Sequence, residues 1–235
     1  MADFIALLRA DLARAADPKK APAMQAYMKS AMPYRGVQAA EMRAICRRVF
    51  AGHPIETPAA WRESCLRIWR EAEYREERYG AIELTGFRYY RAWQTLDTLP
   101  MYEEMIVTGA WWDYVDQIAS GRLGPLLRLY PGRMRRKMLQ WSRGRNLWKR
   151  RSAILCQLSF KRETDLELLY TAIEPSLGSK EFFLQKAIGW ALRQYAWTDQ
   201  REVRRYVRAN HDRLSALSRR EALKNMPPTR RNKSI

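Results

Sequence analysis

Little in this chain can hold a metal or a disulfide. Only three cysteines and two histidines occur in 235 residues. Cys46, Cys65 and Cys156 are too few and too scattered for a disulfide framework, and with His53 and His211 no zinc-ligand spacing arises. A reduced, intracellular protein with no metal and no cofactor is expected, cytoplasmic and, in a prokaryote, associated with the nucleoid. Long apolar runs are missing too. The first sixteen residues hold an apolar run of only five, Phe4 to Leu8, which is too short for a signal peptide. No stretch approaches the ~18 uncharged apolar residues that would predict a membrane span. Valine and isoleucine are sparse, six and eleven, which is a poor supply for a large sheet. There is no G-x-S-x-G, no Cys–His constellation, no Walker loop and no dinucleotide glycine pattern, so nucleophilic catalysis and nucleotide chemistry have no support.

Positive charge and aromatics are abundant instead. Forty-three Lys and Arg against 25 Asp and Glu leave a net charge of +18, and 47% of the chain is hydrophobic, including 9 Trp, 12 Tyr and 6 Phe. That content excludes global disorder, and the charge predicts a polyanionic partner. Nucleic acid leads, with an anionic membrane surface behind it. The charge is also segregated. From Gly121 to Arg162 there are thirteen Lys and Arg and no acid, whereas Glu63 to Glu83 holds six acids. A charge run is by default a solvated helix face. Forty-two residues without an acid are better explained as a phosphate-facing stripe whose binding falls steeply with salt.

Apolar positions recur with helical spacing. Arg78, Ala81, Ile82 and Thr85 share one face, with the apolar members directed inward. Prolines punctuate the periodic segments, and about a dozen helices with no strand are expected. A longer period overlies this one. Ala44-Ile45, Ala81-Ile82, Gln117-Ile118, Ala153-Ile154, Ala187-Ile188 and Ala222-Leu223 are separated by 37, 36, 36, 34 and 35 residues. Ala-Leu also occurs off this register, but five near-equal steps predict a two-helix repeat stacked along the chain. The fold class expected is all-α: HEAT-like two-helix repeats forming a single curved solenoid with a basic concave face, over residues 1–226. Residues 227–235 read as a basic, disordered tail.

The most informative segment is Thr108 to Ile118. On a helix Trp112 and Asp116 are i and i+4, so an indole and a carboxylate lie side by side. Trp111 and Val115 are assigned to the core, and Asp113 to stabilising the helix start. Taken alone, Trp112 would be repeat packing and Asp116 an inter-helix ion pair to one of the many arginines. Three further segments change that weighing: Ala26 to Lys29 with Tyr34 to Gln38, Leu147 to Leu155, and Lys180 to Tyr195.

With the runs Trp111-Trp112-Asp113-Tyr114-Val115-Asp116, Glu181-Phe182-Phe183 and Gln185-Lys186-Ala187-Ile188-Gly189-Trp190, the chain resembles the AlkD family of DNA alkylpurine glycosylases, from about Phe4 to Leu223. The resemblance implies HEAT-like repeats holding duplex DNA on a concave basic face. It implies hydrolysis of the N-glycosidic bond of cationic alkylpurines such as 3-methyladenine and 7-methylguanine, leaving an abasic site, without extrusion of the base and with room for bulky adducts. Asp116 then matches the catalytic carboxylate, and Trp112 and Trp190 the tryptophans flanking it. Arg151 matches the arginine holding the DNA backbone near the lesion. Tyr27, Gln38 and Arg193 match further DNA-facing positions, and Lys149 is expected to contact phosphate.

Two positions depart from the family pattern. Ser159 stands where a lysine is frequent, so one backbone contact is either missing or moved to Lys161 or Arg162. Tyr114 stands where a small residue is frequent, which bears on packing more than chemistry. No lysine stands out as a Schiff-base nucleophile, which predicts a monofunctional hydrolase. Lys149 and Lys186 read as phosphate or solvent contacts. The expected partner is damaged duplex DNA, with no membrane, no obligate protein partner and a monomeric chain. The rival readings are a non-catalytic HEAT-repeat nucleic-acid-binding module and a solenoid that binds RNA or membrane surfaces.

Overall fold

The computed structural model describes residues 3–226. The segment read as a basic tail, 227–235, lies outside the described residues. All regular elements among the described residues are helical, and no helix among them is long and apolar enough to cross a membrane. The chain falls into two compact units that divide between Gly109 and Ala110.

The first unit contains α1 (Phe4–Arg14), α2 (Ala21–Met28), α3 (Ala39–Gly52), α4 (Pro58–Arg70), α5 (Arg75–Thr85) and α6 (Leu99–Gly109), with short 3-10 turns at Arg88–Trp93 and Leu96–Thr98. Helix α1 packs on α3, α3 on α5, and α4 on α5 and α6. The face foreseen on α5 is present. Ala81, Ile82 and Thr85 are buried, while Arg78 lies over the Trp69 ring at 4.8 Å.

The loop from α2 to α3 is clamped by the start of α5. A carboxylate oxygen of Glu76 accepts backbone N–H bonds from Arg35, Gly36 and Val37 at 3.1, 2.9 and 3.1 Å. Glu77 pairs with Arg9 and Arg35 at 3.3 and 3.1 Å. Gly36 has φ +86°, and a Cβ there would come within 2.1 Å of the Asp17 carbonyl oxygen, so the turn requires glycine. Two of the acids counted above are therefore buried structural acceptors. Glu76→Ala strips three loop donors of their acceptor, and a buried donor left unpaired costs about 1–3 kcal/mol before rehydration. The expected loss of stability is about 2–4 kcal/mol, measurable by denaturant unfolding.

The second unit contains α7 (Trp112–Ile118), α8 (Gly124–Leu129), α9 (Pro131–Ser142), α10 (Leu147–Leu155), α11 (Leu166–Ile173), α12 (Phe182–Ala196), α13 (Gln200–Ala209) and α14 (Ala216–Leu223). Local chemistry starts these helices. Asn146 accepts from the amides of Trp148 and Lys149, Asp165 from Leu168, Asp199 from Glu202 and Ser215 from Ser218. Helices α7, α10, α12 and α14 pack each on the next. On the other side α9 packs on α11, and the pairs α9–α10, α10–α11, α12–α13 and α13–α14 join the two layers. The recurrent pairs of the sequence fall once each on α3, α5, α7, α10, α12 and α14, with Ile45, Ala81, Ile82, Ile118, Ala153, Ile154, Ala187, Ile188 and Ala222 all buried. An alanine beside a branched residue, or Gln117 beside Ile118 on α7, thus marks the helices that stack on one another within each unit.

Pro125 is an exception to the reading of prolines as punctuation. It lies inside a continuous helical run from α7 to α8, which stays unbroken by widening to a π-turn at Ala119–Leu123. Proline at 125 has no N–H for the Gly121 carbonyl and its ring crowds that oxygen, so the helix loosens just before it. The Arg122 guanidinium donates to that carbonyl at 2.9 Å instead.

Candidate active site

Helices α7, α10 and α12 each bring one part of a cleft of about 330 Å³ in the second unit. Trp112 and Asp116 enter from α7, Arg151 from α10, and Phe182, Phe183, Lys186, Trp190 and Arg193 from α12. On α12, Lys186, Trp190 and Arg193 follow at i, i+4 and i+7, so one face of that helix supplies a cation, an indole and a second cation.

Asp116 is 8% exposed and is gripped end-on by Arg151. Nε donates to Oδ1 and Nη2 to Oδ2, both at 2.7 Å. The third guanidinium nitrogen, Nη1, donates to the Phe183 carbonyl oxygen at 2.5 Å, so Arg151 ties α7 to the start of α12. A planar fork of this kind fixes the carboxylate plane as well as its position. Burial pushes the Asp116 carboxyl above its ordinary value, the Arg151 fork pulls it down, and neighbouring Asp113 pushes it up again. The inter-helix ion pair weighed as the alternative for Asp116 is real, and it sits inside the cleft beside the tryptophans.

Trp111, at the N-cap of α7, packs against Trp148 and Phe183 with ring centroids 6.2 and 5.3 Å apart, and Phe182 lies edge-on to Phe183 at 5.4 Å. This aromatic cluster backs the cleft, and exposed Phe182 stands at its rim. Val115 is fully buried as expected of core, and so is Tyr114, which makes its bulk a matter of packing.

The other sequence candidates are distributed as follows. Arg193 lines the cleft with Asp116, Trp112, Trp190 and Arg151. Lys149, also on α10, lies 5.3 Å from the Trp141 ring and is not among the cleft-lining residues. Tyr27 on α2 and Gln38 at the N-cap of α3 belong to the first unit, where both are exposed. Ser159 is exposed, and its carbonyl accepts from Arg128 at 3.4 Å, while Lys161 and Arg162 form an exposed 3-10 turn beyond it. Burial pushes the Cys156 thiol up to about 12 and that of Cys46 higher still, so neither is a nucleophile at neutral pH.

Sequence reading missed Glu221. It lies on α14, 8% exposed, and accepts from Lys186 at 3.0 Å and from Arg193 at 2.5 Å. Its only signal in the sequence is its place just before the last recurrent pair.

The molecule is thus an all-helical, strongly basic protein whose cleft sets one arginine-held carboxylate among tryptophans. The family model described as DNA alkylation repair enzyme matches residues 8–226, and the chain belongs to that family. Among solved structures it is similar to one described as a predicted DNA alkylation repair enzyme from Enterococcus faecalis, with 29% identity and a TM-score of 0.81. That match covers 90% of this chain and 96% of the other. No curated protein compared with the chain matches it.

Proposed function

We propose that this protein is a monofunctional DNA glycosylase of the AlkD kind. It would hydrolyse the N-glycosidic bond of cationic alkylated purines in duplex DNA, including 3-methyladenine, 7-methylguanine and bulkier N3 or N7 adducts, and leave an abasic site. The observation that carries the reading is the Asp116 carboxylate, held end-on by Arg151 in a cleft lined by Trp112 and Trp190. The stacking of α7, α10, α12 and α14 and the 34–37-residue recurrence support HEAT-like repeats, and the acid-free basic stretch supports a phosphate-facing surface.

The chemistry follows from charge. Alkylation at N3 or N7 makes the purine a cation and therefore a good leaving group, so the enzyme need not protonate it. Its departure leaves an oxocarbenium-like deoxyribose. The Asp116 carboxylate would stabilise that cation and orient or deprotonate the attacking water. Indole faces contribute cation–π attraction of about 0.5–2 kcal/mol each. A carboxylate that must bear charge in a buried place needs a fixed counter-ion, and the Arg151 fork supplies one. The cleft is open and shared by three helices, which suits a lesion approached within the duplex and processed without base extrusion.

The test is mass-spectrometric identification of what the purified protein releases from alkylated duplex DNA. Free 3-methyladenine or 7-methylguanine, with an unbroken backbone at each new abasic site, is the expected product. Duplex binding without any released base would favour a non-catalytic binding module. Tighter binding to structured RNA or anionic vesicles than to duplex DNA would favour the third reading.

A further inference from the structure

We infer that Glu221 is the positioning residue for Lys186 and Arg193, drawing these two cations of the Asp116 cleft wall together into a subsite for one phosphodiester. The inference rests on the DNA-acting reading above, but its test does not require base release.

The geometry begins at the crossing of α12 and α14. A Cβ on Gly189 would lie 2.5 Å from the Glu221 Cβ and 2.9 Å from the Ser218 carbonyl oxygen, so the two helices meet this closely only because residue 189 is glycine. The Ser218 hydroxyl donates to the Gln185 carbonyl at 2.9 Å and pins the crossing. Glu221 is thereby fixed beneath the face of α12 that carries the cleft residues. Lys186 and Arg193 are seven residues apart, about 10 Å along a helix axis. Unrestrained, such long side chains would spread into solvent. Each instead reaches one oxygen of the same carboxylate, Lys186 Nζ on Oε1 and Arg193 Nη1 on Oε2. The Lys186 ammonium beside it, with Arg193 adding to the effect, holds Glu221 below the usual carboxylate range, so it is charged at neutral pH. Two cations converging on one carboxylate leave a net charge of +1, held on a single locus next to Trp190.

Accessibility separates this pair from Arg151. The Arg151 side chain is 5% exposed and its donors are committed to Asp116 and Phe183, whereas Lys186 and Arg193 are 37% and 21% exposed. Lys186 and Arg193 can therefore meet an anion without breaking the Asp116–Arg151 pair. One phosphodiester of the strand bearing the target sugar matches that net charge. A phosphate fixed there sets the position of the sugar relative to Asp116, and misplacement of a reacting group by about 1 Å costs on the order of a hundredfold in rate.

The test uses the full chain in two measurements. Affinity for a short undamaged DNA duplex is followed by fluorescence anisotropy over a salt series. In such series the logarithm of affinity falls by about 0.9 per logarithm of salt for each phosphate neutralised. The Lys186→Gln/Arg193→Gln double variant is expected to flatten that slope by about one unit. Glu221→Gln keeps both cations and should not flatten it. The same Glu221→Gln chain should release methylated base about tenfold more slowly in single turnover at saturating enzyme, with duplex affinity within about threefold of wild type. That split separates a positioning role from a general loss of fold, and thermal melting of each variant accompanies it.

An unchanged slope in the double variant overturns the subsite, and wild-type release by Glu221→Gln overturns the role of Glu221. Should Glu221→Gln fail to fold, the double variant, confined to two partly exposed side chains, decides the subsite alone. A slope flattened in the double variant, with no base released by the wild type, would defeat the glycosylase reading and leave the subsite standing.

Discussion

Asp116→Asn should slow release of 7-methylguanine from methylated duplex by about a hundred- to a thousandfold, the scale of removing one preorganised electrostatic group from a transition state. The substitution is nearly isosteric and takes away the negative charge that an oxocarbenium-like sugar would feel at this position. Affinity for undamaged duplex is expected to stay near wild type, because loss of a carboxylate leaves the cleft more positive, not less. The stability cost runs the other way. Arg151 is buried and loses its countercharge, and breaking a buried pair from one side costs about 3–5 kcal/mol. An asparagine oxygen can still accept one of the two Arg151 bonds, so the lower end of that range is expected. Excision is therefore to be measured below the melting temperature of the variant, with binding measured in the same buffer. Full excision by folded Asp116→Asn would show that another group carries the chemistry.

Arg151→Met attacks the same pair from the opposite side, and its signature is pH dependence. In the wild type, burial raises the Asp116 pKa above its ordinary 3.8 while the Arg151 fork opposes that rise. If the proposed role holds and the ionised carboxylate does the work, activity should fall as pH drops through this raised pKa, and the acid limb should lie above pH 3.8. Arg151→Met removes the opposing influence, and the limb should move to still higher pH. Each point needs the enzyme-free depurination rate subtracted, since acid alone releases purines. The linkage has a definite sign. A carboxyl whose pKa is higher folded than unfolded disfavours the fold when ionised. The loss of stability in Arg151→Met should be largest at neutral pH, about 3–5 kcal/mol, and should shrink as pH falls through the folded Asp116 pKa. A limb that does not move, or a stability loss independent of pH, would mean that the Arg151 charge does not set the protonation of Asp116.

Much of this was legible in the sequence because helices write their faces into local spacing. The i, i+4 relation of Trp112 and Asp116 needs only helical geometry, and both residues line the cleft. The recurrence of a branched residue, preceded in five of six cases by alanine, marked six helices that pack within their units, because the branched member is buried in five of them and the alanine alone in the last. Helix starts at Asn146, Asp165, Asp199 and Ser215 were equally local in origin. Proline was less transparent. Pro125 reads as a break, yet the helical run continues through it after widening to a π-turn at Ala119–Leu123, with Pro125 in the first turn of α8.

What the sequence determined by itself is the helical class, the surplus of positive charge and the presence of Trp112 and Asp116 on one helix face. All of these depend on composition or on neighbours within about two turns. The tertiary structure alone decided which of the chain's many arginines meets Asp116, and that Glu76 and Glu221 are buried acceptors and not solvated acids. Those pairings join residues 35, 40 and 28 positions apart. At such separations no local spacing rule operates. Partner choice is settled by how closely two helices approach, as at Gly189, and by the cost of leaving a buried charge or donor unmatched.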